Sequence, residues 1–258
     1  MSGTSPKVAI ITGASSGIGR ASSIAFSTAG WNVVLCARRE ELKPAAAECL
    51  TPTLIIVGDV TSEEDVKRLF EETVKSFGLD FLFNLVLGTV LCTKEAVRQY
   101  KKQSPQGARI INNGSISAHT PRPHGISYTS YKHAVTGITK STTLDGRVFD
   151  ISVTQIEIGM SMNHLALLIF TTRIIRSTLT TMAKPISVGA MQADGVVCPE
   201  AIMGVEYAVD TVIHIVGLPN TVQIVEMDIV RMASSSSIHP WYLFKMSRPT
   251  KMPFVGRG

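Results

Sequence analysis

The sequence predicts an α/β fold, a doubly wound parallel sheet in a single domain over residues 1–258, with a core at 7–230 and a tail at 231–258. Three observations predict it. Short apolar runs alternate with amphipathic stretches from residue 7 onward, a pattern that builds a parallel sheet covered on both faces. A glycine-rich turn joins the first apolar run to the first amphipathic one. The chain has 258 residues, 45% hydrophobic and 17% charged, enough to bury one sizeable core.

The first strand is predicted at 8–12, followed by the turn at 13–19. Ile18, Ala21, Ala25 and Ala29 then fall at helical spacing, and Gly30 stands where that helix stops. Residues 31–37 read as a buried second strand, 40–49 as a helix and 53–57 as a third strand. Thr61 and Glu64 suggest a capping box for a helix with an inner face of Val66, Leu69, Phe70, Val74 and Phe77, ended by Gly78. A fourth strand is expected at 79–83, a helix at 88–102 and a fifth strand at 109–113. A long helix over 128–144 leads to a sixth strand at 151–158. A helix at 200–216 and a seventh strand at 221–230 complete the sheet. Irregular additions are expected near 163–179 and 233–249, the second containing the serine run 234–237.

Composition narrows the function. The longest nearly apolar run, 81–92, includes Asn84 and Thr89 and falls short of the ~18–20 residues of a membrane span. The polar first seven residues offer no signal-peptide core. Cys36, Cys49, Cys92 and Cys198 lie far apart, which suits reduced thiols and a cytoplasmic location. The net charge of +5 comes from two acid-free stretches, 160–193 and 231–258, which carry +8 between them and leave the rest at −3. That distribution predicts no nucleic-acid groove, which would be built into the folded body with interleaved aromatics.

Three motifs carry chemistry. Thr12, Gly13, Ala14, Ser15, Ser16, Gly17, Ile18 and Gly19 run directly from a strand into a helix. A pyrophosphate needs backbone amides and the positive end of a helix dipole, with no side chain in its way, so the turn predicts dinucleotide binding. At the end of strand two stand Arg38 and Arg39, with no acid between Trp31 and Arg39. Arginine there accommodates a 2′-phosphate and favours NADP(H) over NAD(H). Asp59 and Val60, after strand three, are candidates for the adenine end.

The third motif is Tyr128, Lys132 and, thirteen residues before Tyr128, Ser115. Residues four apart share a helix face, so Tyr128 and Lys132 can converge. A free phenol titrates near ~10, and a nearby ammonium favours its ionised form. Tyr131 is the competing candidate, but its partner one turn on is Val135. His119, His124 and His133 cluster nearby with a spacing that fits no common metal pattern, so no metal is predicted.

With these motifs in this order, the chain resembles the short-chain dehydrogenase/reductase family of the ordinary ~250-residue, Rossmann-type form, over most of residues 7–230. The resemblance implies that Tyr128 is the acid/base, that Lys132 lowers its pKa and holds the ribose, and that Ser115 orients the substrate. It also implies Asp59 at the adenine. The product would be an NADP(H)-dependent oxidoreductase interconverting a small-molecule ketone and a secondary alcohol, and a homo-oligomer would be in keeping with the family. The closing 251–258 and the run 110–115 resemble fungal-type members linked to secondary metabolism.

Two departures from the family pattern bear on the site. Strand four runs from Asn84 straight into Leu85-Val86-Leu87-Gly88, where the family has an Asn-Asn-Ala-Gly turn, a short helix and a further asparagine of the proton relay. Asn84 thus stands where two separated asparagines are expected. After strand six, Ser161 occupies the region of a cofactor-contacting threonine. The alternative reading is a catalytically impaired member that binds dinucleotide or a partner without turnover.

Overall fold

The computed structural model describes residues 6–38, 41–85, 88–119, 121, 123–158, 189–191, 197–198 and 204–229. In chain order the elements are β1 (Val8–Thr12), α1 (Gly17–Thr28), β2 (Asn32–Ala37), α2 (Leu42–Ala47), β3 (Thr53–Val57), α3 (Glu63–Ser76), β4 (Phe81–Asn84), α4 (Thr89–Tyr100) and β5 (Ala108–Asn113). A 3-10 turn (Ile116–Ala118) leads to α5 (Ile126–Gly146), and a second (Arg147–Phe149) to β6 (Ile151–Ile158). The hairpin strands β7 (Ala190–Met191) and β8 (Val197–Cys198), α6 (Val205–Gly217) and β9 (Glu226–Ile229) follow.

Seven strands form one parallel sheet in the order β3-β2-β1-β4-β5-β6-β9. The winding reverses between β1 and β4, and the crevice above that point is where a doubly wound sheet binds ligands. Side chains alternate between two cores, as the pleat requires. Val8 and Ile10 of β1 face Val66, Leu69 and Phe70 of α3 and Cys92, Ala96 and Tyr100 of α4. Ala9 and Ile11 face Phe26 of α1, Leu42 of α2 and Val212, Ile215 and Val216 of α6.

Several boundaries differ from the sequence reading for identifiable reasons. The cap of α3 is Ser62, whose side chain accepts from the Asp65 amide, because Asp59 takes the Thr61 hydroxyl instead. The last strand is shorter than 221–230. Gln223 pairs with Val153 through its side-chain amide, donating to the carbonyl and accepting from the N–H, so ladder bonding by the backbone begins later. The antiparallel hairpin β7–β8 was not foreseen. The additions expected near 163–179 and 233–249 lie outside the described residues.

Candidate active site

The turn after β1 needs its glycines. Gly13 and Gly17 adopt φ of 66° and 54°, values in the left-handed region. A Cβ on Gly19 would sit 2.3 Å from the Gly13 carbonyl oxygen and 3.0 Å from Leu85 Cδ1. Ser16 caps α1 without a side-chain hydrogen bond, and the first turn carries no acid. The amides that open the helix are thus offered at its positive end, with the close approach that a pyrophosphate requires. Thr12 is fully buried and straps β1 to β4: its hydroxyl donates to the Phe83 carbonyl and accepts from the Leu85 amide. Ser15 and Ile18 are half-buried in the turn. This local geometry fits a nicotinamide dinucleotide.

At the far end of the crevice Arg38 is exposed immediately after β2. The Asp59 carboxylate accepts from the Thr61 amide and hydroxyl, and those bonds, with the Arg38 charge, hold it below the usual carboxylate range. Val60 is buried, and Gly88 packs so closely on it that a Cβ there would lie 2.3 Å from the Val60 carbonyl oxygen. Arg39 and Ser161 lie outside the described residues.

On the other side, α5 presents Tyr128 and Lys132. Lys132 is buried, donates to the Asn113 carbonyl at 2.7 Å and lies 5.6 Å from the Tyr128 ring centre and 5.4 Å from that of Tyr131. Burial pulls its ammonium down to about 8, with Glu157 opposing. The two tyrosines differ in environment. Tyr131 shares a hydrogen bond with Thr89 at 3.1 Å, and burial pushes its phenol up, whereas Tyr128 is 41% exposed. Ser115 is buried and accepts from the Ser117 amide at 3.2 Å, capping the 3-10 turn. That turn is tied to α5 where His133 Nδ1 meets the Ala118 carbonyl at 3.1 Å. The lysine's anchor, Asn113, stands two residues before Ser115, so Ser115 and the Lys132 ammonium lie at the same carboxyl end of β5.

Sequence reading missed what lies beneath α5. Register aligns Asn84 with Asn112 and Asn112 with Gln155. Asn84 Nδ2 donates to Asn112 Oδ1 (2.9 Å) and Thr93 Oγ1 (3.2 Å), Asn112 Nδ2 to Thr139 (3.0 Å), and Gln155 Nε2 to Thr136 (2.9 Å). Asn84 therefore spends its amide protons within the sheet and towards α4, while Lys132 takes a main-chain oxygen of β5. Only strand pairing reveals such a row. Glu157, fully buried on β6, completes it: burial raises its carboxyl pKa and His119 opposes. A cavity of ≈ 260 Å³ lined by Lys7, Asp80, Arg109 and Asn220 opens at the opposite, amino-terminal end of the strands.

A family model described as short chain dehydrogenase matches in two segments, residues 7–86 and 81–166. The two segments overlap at residues 81–86, which include the end of β4. Among similar proteins, a farnesol dehydrogenase of Aedes aegypti is 36% identical over 168 residues, 52% of this chain and 68% of the relative. A glucose 1-dehydrogenase of Gluconobacter oxydans is 30% identical, over 59% of this chain and 68% of that protein. Among solved structures, an actinorhodin polyketide ketoreductase with NADPH superposes with a TM-score of 0.68 at 20% identity, covering 87% of this chain and 95% of its own. Among the described residues no helix is long and apolar enough to cross a membrane.

Proposed function

The chain belongs to the short-chain dehydrogenase family, an oxidoreductase family that uses nicotinamide dinucleotides, and on that premise we propose that it is an NADP(H)-dependent reductase of ketones, or dehydrogenase of secondary alcohols. The observation that carries this reading is the buried Lys132, anchored on the Asn113 carbonyl with its ammonium beside Tyr128. When bound, the dinucleotide would give hydride to the carbonyl carbon, or accept it from the alcohol.

The protein's own groups supply the rest. The amides from Gly17 to Gly19 and the α1 dipole hold the pyrophosphate, Arg38 meets the 2′-phosphate, and Asp59 stands at the adenine end. Val60 and, beyond the described residues, Arg39 and Ser161 complete the proposed cofactor contacts. Tyr128 Oη gives a proton to the substrate oxygen in reduction and removes it in oxidation. Lys132 favours the phenolate through its charge, and the Ser115 hydroxyl donates to the developing alkoxide. The exposure of Tyr128 supports its choice over Tyr131, whose hydroxyl is engaged with Thr89. We place this activity in the cytoplasm and, on the resemblance of residues 110–115 and 251–258, in secondary metabolism.

NADPH oxidation against a panel of small ketones tests the reading. Tyr128→Phe is expected to lower kcat by about 10²–10⁴, while NADPH still raises the melting temperature. Undiminished turnover in that variant rejects the assignment. One observation favours a second reading, binding without turnover: Asn84 spends its side-chain amide protons on Thr93 and Asn112 in the buried row. NADPH binding with no oxidation across the panel would favour it.

A further inference from the structure

At the carboxyl-end corner of the sheet, away from the glycine turn, three elements bring metal-binding side chains together. His119 closes the 3-10 turn after β5, Glu157 is the penultimate residue of β6, and Glu226 opens β9. His119 Nε2 lies 3.1 Å from Glu157 Oε1 and 3.0 Å from Glu226 Oε1, and all three donor atoms fall within 4.8 Å of one another. We infer that His119, Glu157 and Glu226 form a binding site for a divalent transition cation of the zinc class.

The distances suit such an ion. Bonds of about 2.0–2.2 Å in a tetrahedron separate neighbouring ligand atoms by about 3.3–3.6 Å, so small shifts of these side chains would admit it. Hydrogen bonding alone leaves the cluster underprovided. A neutral imidazole has one proton to offer from Nε2, and two carboxylate oxygens face it. Glu157 is fully buried, and its second oxygen, Oε2, has no hydrogen-bond partner among the described residues. Register puts Asp228 directly opposite Glu157 and Glu226 opposite Gln155, so three carboxylates share this corner with one imidazole. Like charges directly opposite in a sheet are destabilising, and a buried carboxylate is costly unless it is paired or bound to metal.

The surroundings agree. Gln155 Nε2 donates to Glu157 Oε1 at 2.5 Å and to Thr136, so the deepest ligand is oriented by a neighbour that is itself held. One imidazole nitrogen with two carboxylates suits zinc, cobalt or manganese, whereas calcium and magnesium prefer oxygen alone. The His119 and Glu226 side chains are 41% and 30% exposed, which leaves an entry path and room for a fourth ligand from water. The inference stands apart from the proposed hydride chemistry, since no group of the tyrosine, lysine and serine set is a ligand.

The test uses the untagged full chain, stripped with a chelator and titrated with zinc chloride by calorimetry and by thermal shift. One saturable equivalent and a raised melting temperature are expected. His119→Ala and Glu226→Gln, both at exposed side chains, should each weaken binding about tenfold or more. Cobalt(II) should give visible ligand-field bands without the charge-transfer band of a thiolate ligand. Absent uptake, a thiolate band, or binding unchanged in both variants overturns the inference, and none of these readouts depends on turnover.

Discussion

Residues 7–60 end their strands in Ile11-Thr12, Cys36-Ala37 and Ile56-Val57, apolar but for Thr12, whereas residues 81–158 place Asn84, Asn112, Asn113, Gln155 and Glu157 at or near the ends of theirs. The contrast follows from what each half offers a ligand. At its glycine turn the first half presents backbone amides and a helix dipole, so the side chains there need only stay out of the way. The second half works through side chains, and their burial must be compensated group by group. Compensation is less complete there: among the described residues Asn84 Oδ1, Asn113 Oδ1, Thr154 Oγ1, Gln155 Oε1 and Glu157 Oε2 lack hydrogen-bond partners, against Ser22 Oγ and Asn32 Oδ1 in the first half. The glycine turn of the first half is thus sensitive to added volume, and the polar strand ends of the second to lost partners.

Gly19→Ala probes the first half most severely. The new Cβ meets backbone at 2.3 Å rather than a pliable side chain, so a loss of about 3 kcal/mol in urea unfolding is expected, together with loss of NADPH stabilisation. A variant as stable as the parent would contradict the close approach of turn and helix.

Lys132→Met tests the second half, with the opposite sign. A lysine at about 8 in the folded protein against 10.5 free costs about 3 kcal/mol below pH 8. Because the unfolded chain holds more protons between those values, that cost fades as pH rises through the window. Losing the bond to Asn113 offsets about 1 kcal/mol, so the variant should be more stable by about 2 kcal/mol at pH 7 in chelator. By pH 10.5 that advantage should be gone, and turnover should be lost at either pH. A destabilised variant at pH 7 would mean that the lysine is held by more than burial suggests.

Arg38→Asp sharpens the comparison at the cofactor end. Thermal-shift titrations should show NADPH weakened about tenfold or more relative to NADH, roughly 1.4 kcal/mol, with folding intact. Equal loss for both dinucleotides would remove the phosphate role. The mildest change is Ser62→Ala, which deletes the α3 cap at a cost of about 1 kcal/mol or less and should leave both ligand sites untouched.

What was legible in the sequence divides along the same line. The strands from β1 to β6 and the glycine turn follow from local periodicity, and Tyr128 and Lys132 from their spacing within one helix. The row from Asn84 through Asn112 to Gln155 depends on register between strands 28 and 43 residues apart. Nothing local marks it. His119 shows the same limit: its spacing to the other histidines pointed to no ligand set, because its companions are carboxylates 38 and 107 residues away. The α3 cap falls at Ser62 rather than at Thr61, which looks like a cap in the sequence until Asp59 is seen to hold it.

The amide-bearing strand ends also bear on how the sheet assembles. Sliding β5 by one residue against β4 or β6 would turn Asn112 toward the apolar layer of Phe26, Phe81 and Phe83, stranding an amide in oil. Each such orphan costs about 1–3 kcal/mol, enough to make misaligned intermediates short-lived. Asn84, Asn112 and Gln155 thereby act as a proofreading device during folding, so that the end of the molecule where chemistry is proposed is also where mispairing is most strongly rejected.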